Sequence, residues 1–174
     1  VVMLHDDDIL LPFHLKRVQY IISKLKINPD AIYLPTIVTN SLKINENMID
    51  DEKFMYAVKI KSFDFLFGNI VWIVGACFNR ETIINSGGFS DTYYPSSDYA
   101  FFVKLSKRNK SFLIIGQPTT RYRISDNESL NTSTMIKFIE MDNKIKMIIL
   151  SKYSIKFYNL FNSLFRVKDY TYIK

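Results

Sequence analysis

The chain has 174 residues and a mass of 20.5 kDa, with 48% apolar and 23% charged residues, a balance that excludes a disordered chain and suits one domain with its own core. Its formal charge of +6 comes from 23 basic against 17 acidic residues; residues 151–174 alone hold five cations and one acid, so +4 of it belongs to the tail. That distribution points to an anionic surface near the tail and away from nucleic acid as a partner of the body. The single cysteine, Cys77, excludes an internal disulfide and fits a reducing compartment. No apolar run approaches the roughly 18 residues of a membrane span, and no signal peptide opens the chain.

Residues 1–4 read as a buried strand whose carboxyl end opens onto His5-Asp6-Asp7-Asp8. Pro12 suits the first turn of a helix, and Leu15, Val18, Ile22 and Leu25 follow at helical spacing. Residues 31–39 are β-rich, with Pro35 making the strand an edge or a bent one. Residues 40–62 are polar and mixed and read as loop plus a short helix. Residues 70–78 give the best second strand by β-branched and aromatic content. A short helix over 80–85 is stopped by Gly87-Gly88 as a left-handed cap, and Ser96-Ser97-Asp98 starts another helix through residue 107. Strands are expected at 112–115 and 119–123, and a helix at 131–150. Strands alternating with helices predict an α/β fold, whose ligands bind at the carboxyl ends of strands.

Three consecutive carboxylates after a buried strand repel one another, and a divalent cation such as Mg²⁺ or Mn²⁺ would relieve that cost. The alternative is a solvated acidic turn that complements the start of the following helix. His5 reads as a ligand or, more simply, as a structural residue at a strand end, and His14 as exposed in a first helical turn. Gly75 through Glu81, Gly87-Gly88-Phe89 and Asp98 each have a structural explanation when taken singly.

Taken together and in order, Leu-His-Asp-Asp-Asp-Ile-Leu-Leu-Pro, Gly-Ala-Cys-Phe-Asn-Arg-Glu, Gly-Gly-Phe-Ser-Asp, Ser-Asp-Tyr-Ala and Tyr-Arg-Ile-Ser-Asp-Asn-Glu-Ser resemble the family 2 glycosyltransferases of the GT-A fold. The resemblance covers residues 1–132 and leaves 133–174 as a helical, basic and aromatic extension. It implies a partial GT-A, Rossmann-like mixed sheet flanked by helices. It further implies inverting transfer from a nucleotide-sugar, commonly UDP-linked, with Mn²⁺ or Mg²⁺, to a glycan or lipid-linked acceptor, as in bacterial surface polysaccharide synthesis. Carried over, Asp6, Asp7 and Asp8 meet metal and diphosphate, with Asp7 favoured as the direct ligand. Asp98 matches the general base, and Arg123 lies in a Tyr-Arg segment near the diphosphate. Such a transfer needs charge stabilisation on the leaving diphosphate and a carboxylate to take the acceptor proton, and a helix N-terminus would keep Asp98 ionised. Gly75 would let the backbone approach a sugar, or mark a strand bulge.

There are departures. Ser97 stands where a Glu is common, and Ser125 stands near the place of a metal-binding His. Trp72 is the sole tryptophan, so the Gln-x-x-Arg-Trp block of processive synthases is missing. The family's nucleotide-binding half precedes the acidic motif, so a chain beginning at Val1 is expected to be a fragment, inactive alone. In the tail, Phe157, Leu160, Phe161, Leu164 and Phe165 form an apolar stripe with basic flanks, read as a helix on an anionic membrane or as one packed on the domain. A cytoplasmic protein, peripheral on the inner face of the plasma membrane, follows from the first option. The rival to an enzyme is a non-catalytic membrane-associated or partner-binding module.

Overall fold

Pro35 decides the course of the chain. In the computed structural model, which describes residues 1–40, 55–124 and 131–151, the run over 31–39 is two strands rather than one. After β1 (Ile9–Leu10) and helix α1 (His14–Leu25), strand β2 (Ala31–Tyr33) enters one sheet and β3 (Thr36–Thr39) another. Pro35 has no N–H to give a ladder, and its carbonyl accepts from Thr119 N at 3.0 Å, which ties the bend to the next crossing of the chain.

The remaining strands are β4 (Tyr56–Ile60), β5 (Cys77–Phe78), β6 (Ser111–Ile115) and β7 (Thr120–Arg123). One sheet has the order β4-β6-β2-β5 and the other β1-β7-β3. Both are mixed: β2 runs parallel to β6 and antiparallel to β5, and β7 runs parallel to β3 and antiparallel to β1. Helices α2 (Arg80–Ser86), α3 (Ser97–Ser106) and α4 (Thr132–Leu150), with 3₁₀ turns at Ser62–Phe67 and Asp91–Tyr93, complete an α/β architecture of sheets flanked by helices.

Residues 1–4 form less of a strand than predicted. Val2 makes a single antiparallel bridge to Cys77, flanked by Met3 N to Ala76 O at 3.0 Å and Phe78 N to Val1 O at 2.8 Å. This segment lies along the four-stranded sheet, whereas β1 belongs to the other sheet. The acidic turn between them is therefore one of the places where the chain crosses from sheet to sheet, as are Pro35 and residues 116–119.

The strand predicted over 70–78 shrinks to Cys77–Phe78. Gly75 has φ +69°, and Ala76 N donates to Ile73 O at 3.0 Å, so residues 73–76 turn instead of extending. An added Cβ at Gly75 would lie 2.2 Å from Thr120 Cγ2 and 2.8 Å from His14 Cε1, so interior packing alone requires a glycine here. Gly75→Ala is expected to destabilise the fold by about 2–4 kcal/mol from left-handed strain plus overpacking, read by chemical denaturation. A loss below about 0.5 kcal/mol would show that Thr120 and His14 yield freely.

Helix α1 keeps Val18 and, in part, Leu25 of the predicted stripe inside and turns Leu15 and Ile22 outward. His14, Arg17, Val18 and Ile21 are buried, while Leu15 is 57% and Ile22 44% exposed. His14, expected at the surface, is 1% exposed, and its Nδ1 lies 3.0 Å from Thr119 Oγ1. Burial pulls its pKa below the usual imidazole value, so it is neutral inside the fold. Strand β4 falls within residues read as loop and short helix; four of its five residues are exposed, so no alternation announced it.

The predicted glycine stop of α2 is present. Asn79 caps α2 by accepting from Thr82 N at 3.1 Å, and Gly87 at φ +76° ends the helix as its N–H and that of Gly88 return to Ile84 and Ile83 carbonyls. Asn131 caps α4 by accepting from Ser133 N at 3.1 Å. Helix α3 and strands β2 and β5 carry an aromatic core in which Tyr33 meets Phe78 and Phe102 edge-on at 5.9 and 5.1 Å, each pair worth about 0.5–1.5 kcal/mol beyond burial. Ile145, Ile149 and Leu150 of α4 join the same core. Among the described residues no helix is long and apolar enough to cross a membrane. The predicted amphipathic stripe of the tail and Ser125 lie outside the described residues.

Candidate functional site

The acidic turn closes with Asp8 N donating to His5 O at 3.4 Å. Its three acids separate by depth: Asp6 is exposed, Asp7 half-buried and Asp8 buried. Asp8 Oδ1 accepts from the amide of Arg123 on β7 at 3.0 Å, which fastens the turn to the three-stranded sheet. Asp8 Oδ2 is fully enclosed and makes no hydrogen bond, although His5 Nδ1 stands 3.5 Å away, within ion-pair range. Arg123 Nη2 is 4.0 Å from Asp7 Oδ2.

An enclosed carboxylate oxygen without a hydrogen bond is costly, and burial accordingly lifts the Asp8 pKa above the usual carboxylate range. The Arg123 amide and the neighbouring His5 and Arg123 side chains oppose that rise, and the Asp7 charge adds to it. A cation would supply the missing partner. One atom each from His5, Asp7 and Asp8 lie within 4.8 Å of one another, a donor set of two oxygens and one nitrogen that suits Mn²⁺ or Mg²⁺. Of the three predicted acids, the structure thus gathers Asp7 and Asp8, leaves Asp6 in solvent, and adds His5, which the sequence favoured as structural.

Asp98 sits in the first turn of α3. Two contacts fix that turn from behind: Ser96 Oγ donates to Asp142 Oδ1 of α4 at 2.6 Å, and Tyr99 Oη donates to Phe65 O at 2.5 Å. Asp98 Oδ1 accepts from Tyr99 N at 2.7 Å, and Oδ2 accepts weakly from Asn69 Nδ2 at 3.4 Å. The helix start was expected to hold this carboxyl ionised. Burial is the larger influence and raises its pKa, against the opposing pull of the Tyr99 and Asp98 amides and of His5. The result is a more basic carboxylate than an exposed Asp.

Asp98 faces a cavity of about 890 Å³, whose wall also includes His5, Asn69, Trp72, Tyr94 and Tyr122. Alternation along β7 sends Tyr122 to this cavity while Arg123 serves the acidic turn. His5 is the shared member: it belongs to the Asp7–Asp8 group and to the wall that holds Asp98. Sequence reasoning missed Trp72 in this role because it placed residues 70–78 in a strand, and Asn69, just before that run, carried no signal. The one signal for His5 was its position three residues before Asp8, the spacing of a turn's two ends.

No protein-family model, curated protein or solved structure matches the chain.

Proposed function

We propose that the chain is the metal- and acceptor-binding part of an inverting glycosyltransferase of the family 2, GT-A type, using a nucleotide-sugar donor of the UDP-linked class. The observation that supports this reading is that His5 joins a carboxylate group fit for a cation to the cavity that presents a basic Asp98. Transfer by a single displacement needs those two functions side by side.

In this reading His5, Asp7 and Asp8 hold the cation, which when bound supplies charge neutralisation for the departing diphosphate. The Arg123 guanidinium, beside Asp7, adds positive charge at the same end. Asp98 accepts the proton of the acceptor hydroxyl as that oxygen attacks the anomeric carbon, and the Tyr99 amide holds the carboxylate in place. The free, buried Cys77 fits a reducing cytoplasmic setting. The membrane-associated, non-catalytic alternative draws on a tail outside the described residues, whereas the buried orphan oxygen of Asp8 favours ion chemistry.

The native polypeptide is expected to release UDP from a UDP-sugar only with Mn²⁺ or Mg²⁺ present, and to stop on addition of a chelator. UDP release unaffected by chelation, or no turnover of any nucleotide-sugar tried, would reject the reading.

A further inference from the structure

The cavity beside Asp98 has a lining of two chemistries. Asp98, Asn69 and Ser97 offer polar groups, while Trp72, Tyr122 and Phe89 offer ring surfaces. Among the described residues no Lys or Arg lines it. Trp72 is 42% exposed, although its ring already pairs with Tyr122 at 5.2 Å between centroids and 36° between planes. A tryptophan left open at a cavity wall, backed by a second ring, is a rigid platform that lacks its outer partner.

We propose that this cavity is a neutral saccharide subsite, in which the C–H face of a pyranose stacks on Trp72 while a ring hydroxyl reaches the Asp98 carboxylate. The inference names the acceptor class for the reaction proposed above and takes its biological sense from that reading. A pyranose needs both kinds of wall, because one face presents C–H groups and the rim presents hydroxyls. A hydrocarbon chain would strip water from Asp98 and Asn69 and leave the carboxylate only the Tyr99 amide and the long Asn69 contact, which costs free energy. A phosphorylated ligand would meet the Asp98 charge with no lysine or arginine among the described lining residues to offset it. The volume lies within the roughly 300–1,000 Å³ of small-ligand sites. A lipid-linked acceptor would therefore enter sugar first, with its phosphate and lipid outside.

Trp72 is the only tryptophan, so its emission reports on this cavity without labelling. The native protein is titrated, without donor or metal, with methyl glucoside, methyl galactoside, methyl mannoside and methyl N-acetylglucosaminide, and with glucose 1-phosphate and hexanol as contrasts. A saturable emission change at roughly millimolar concentration of at least one neutral pyranoside is expected. Saturation-transfer NMR should mark the ring protons of one face, and Trp72→Leu should weaken binding about tenfold or more, with Trp72→Phe intermediate. Silence across the neutral panel, a stronger response to hexanol or to the phosphate, or undiminished binding in Trp72→Leu would overturn the proposal. The two proposals fail separately. Saccharide binding by a protein that transfers no sugar keeps this subsite and removes the reaction; transfer with an unchanged acceptor KM in Trp72→Leu does the reverse.

Discussion

Asp98→Asn is expected to reduce sugar transfer by about 10²–10⁴-fold, the usual contribution of a general base, while making the protein more resistant to heat. The first effect follows from the loss of the proton acceptor in an otherwise isosteric side chain. The Asn oxygen can still accept from Tyr99 N, which donates to Oδ1 in the wild type. The second effect follows from burial, which raises the folded pKa of Asp98 above its ordinary value of 3.8. Between that ordinary value and the raised one, the folded state holds a proton that the unfolded state has released. Stability therefore falls as pH climbs through this window, and above it the ionised carboxylate remains a cost that a neutral amide avoids. In wild type the acid limb of the kcat/KM profile should accordingly lie above the range of an exposed aspartate. Donor affinity should be unchanged in the variant. Undiminished turnover would remove Asp98 from the mechanism, and a lower melting temperature would show that its charge is better solvated than its burial implies.

The second large effect concerns the cation. At a free Mn²⁺ concentration a hundredfold above its Kd, binding to the folded state alone adds about 2.7 kcal/mol to stability. Asp8→Asn is expected to lose most of this gain, because the fully enclosed Oδ2, the atom without a hydrogen bond, is the one that would face the ion. Without metal the same variant should match or exceed wild type in melting temperature, since burial disfavours the Asp8 charge and an Asn oxygen can keep the Arg123 amide satisfied. Asp6→Asn should leave the Mn²⁺ shift intact, because that side chain stands in solvent. Thermal denaturation across a Mn²⁺ titration separates these cases. No metal-induced shift in wild type would refute a cation at the acidic turn.

The legible parts of the fold were those dictated by neighbours in sequence. Asn79, Gly87 and Asn131 mark helix ends through bonds made within a few residues, so their elements fall where the local chemistry places them. The misread parts depend on distant partners. Residues 70–76 carry β-forming side chains but turn at Gly75, because Thr120 and His14 from elsewhere occupy the space beside it. In α1, Leu15 and Ile22 of the apolar stripe give way to His14 and Arg17, while Val18 and in part Leu25 stay inside. His14 is accommodated by Thr119, and Arg17 by Met55 Sδ at 3.3 Å and the Phe13 ring at 5.3 Å. The site shows the same division. Asp7, Asp8 and Asp98 were visible as acids at element ends, whereas their association through His5 exists only once the sheets are assembled.

The crossing of the chain at the acidic turn carries a mechanical meaning. His5 leaves a segment laid against one sheet, and Asp8 is bonded to a strand of the other. Any bond that draws these two side chains together also sutures the sheets. A cation held by both would therefore couple to the alignment of the sheets, each favouring the other to the same extent.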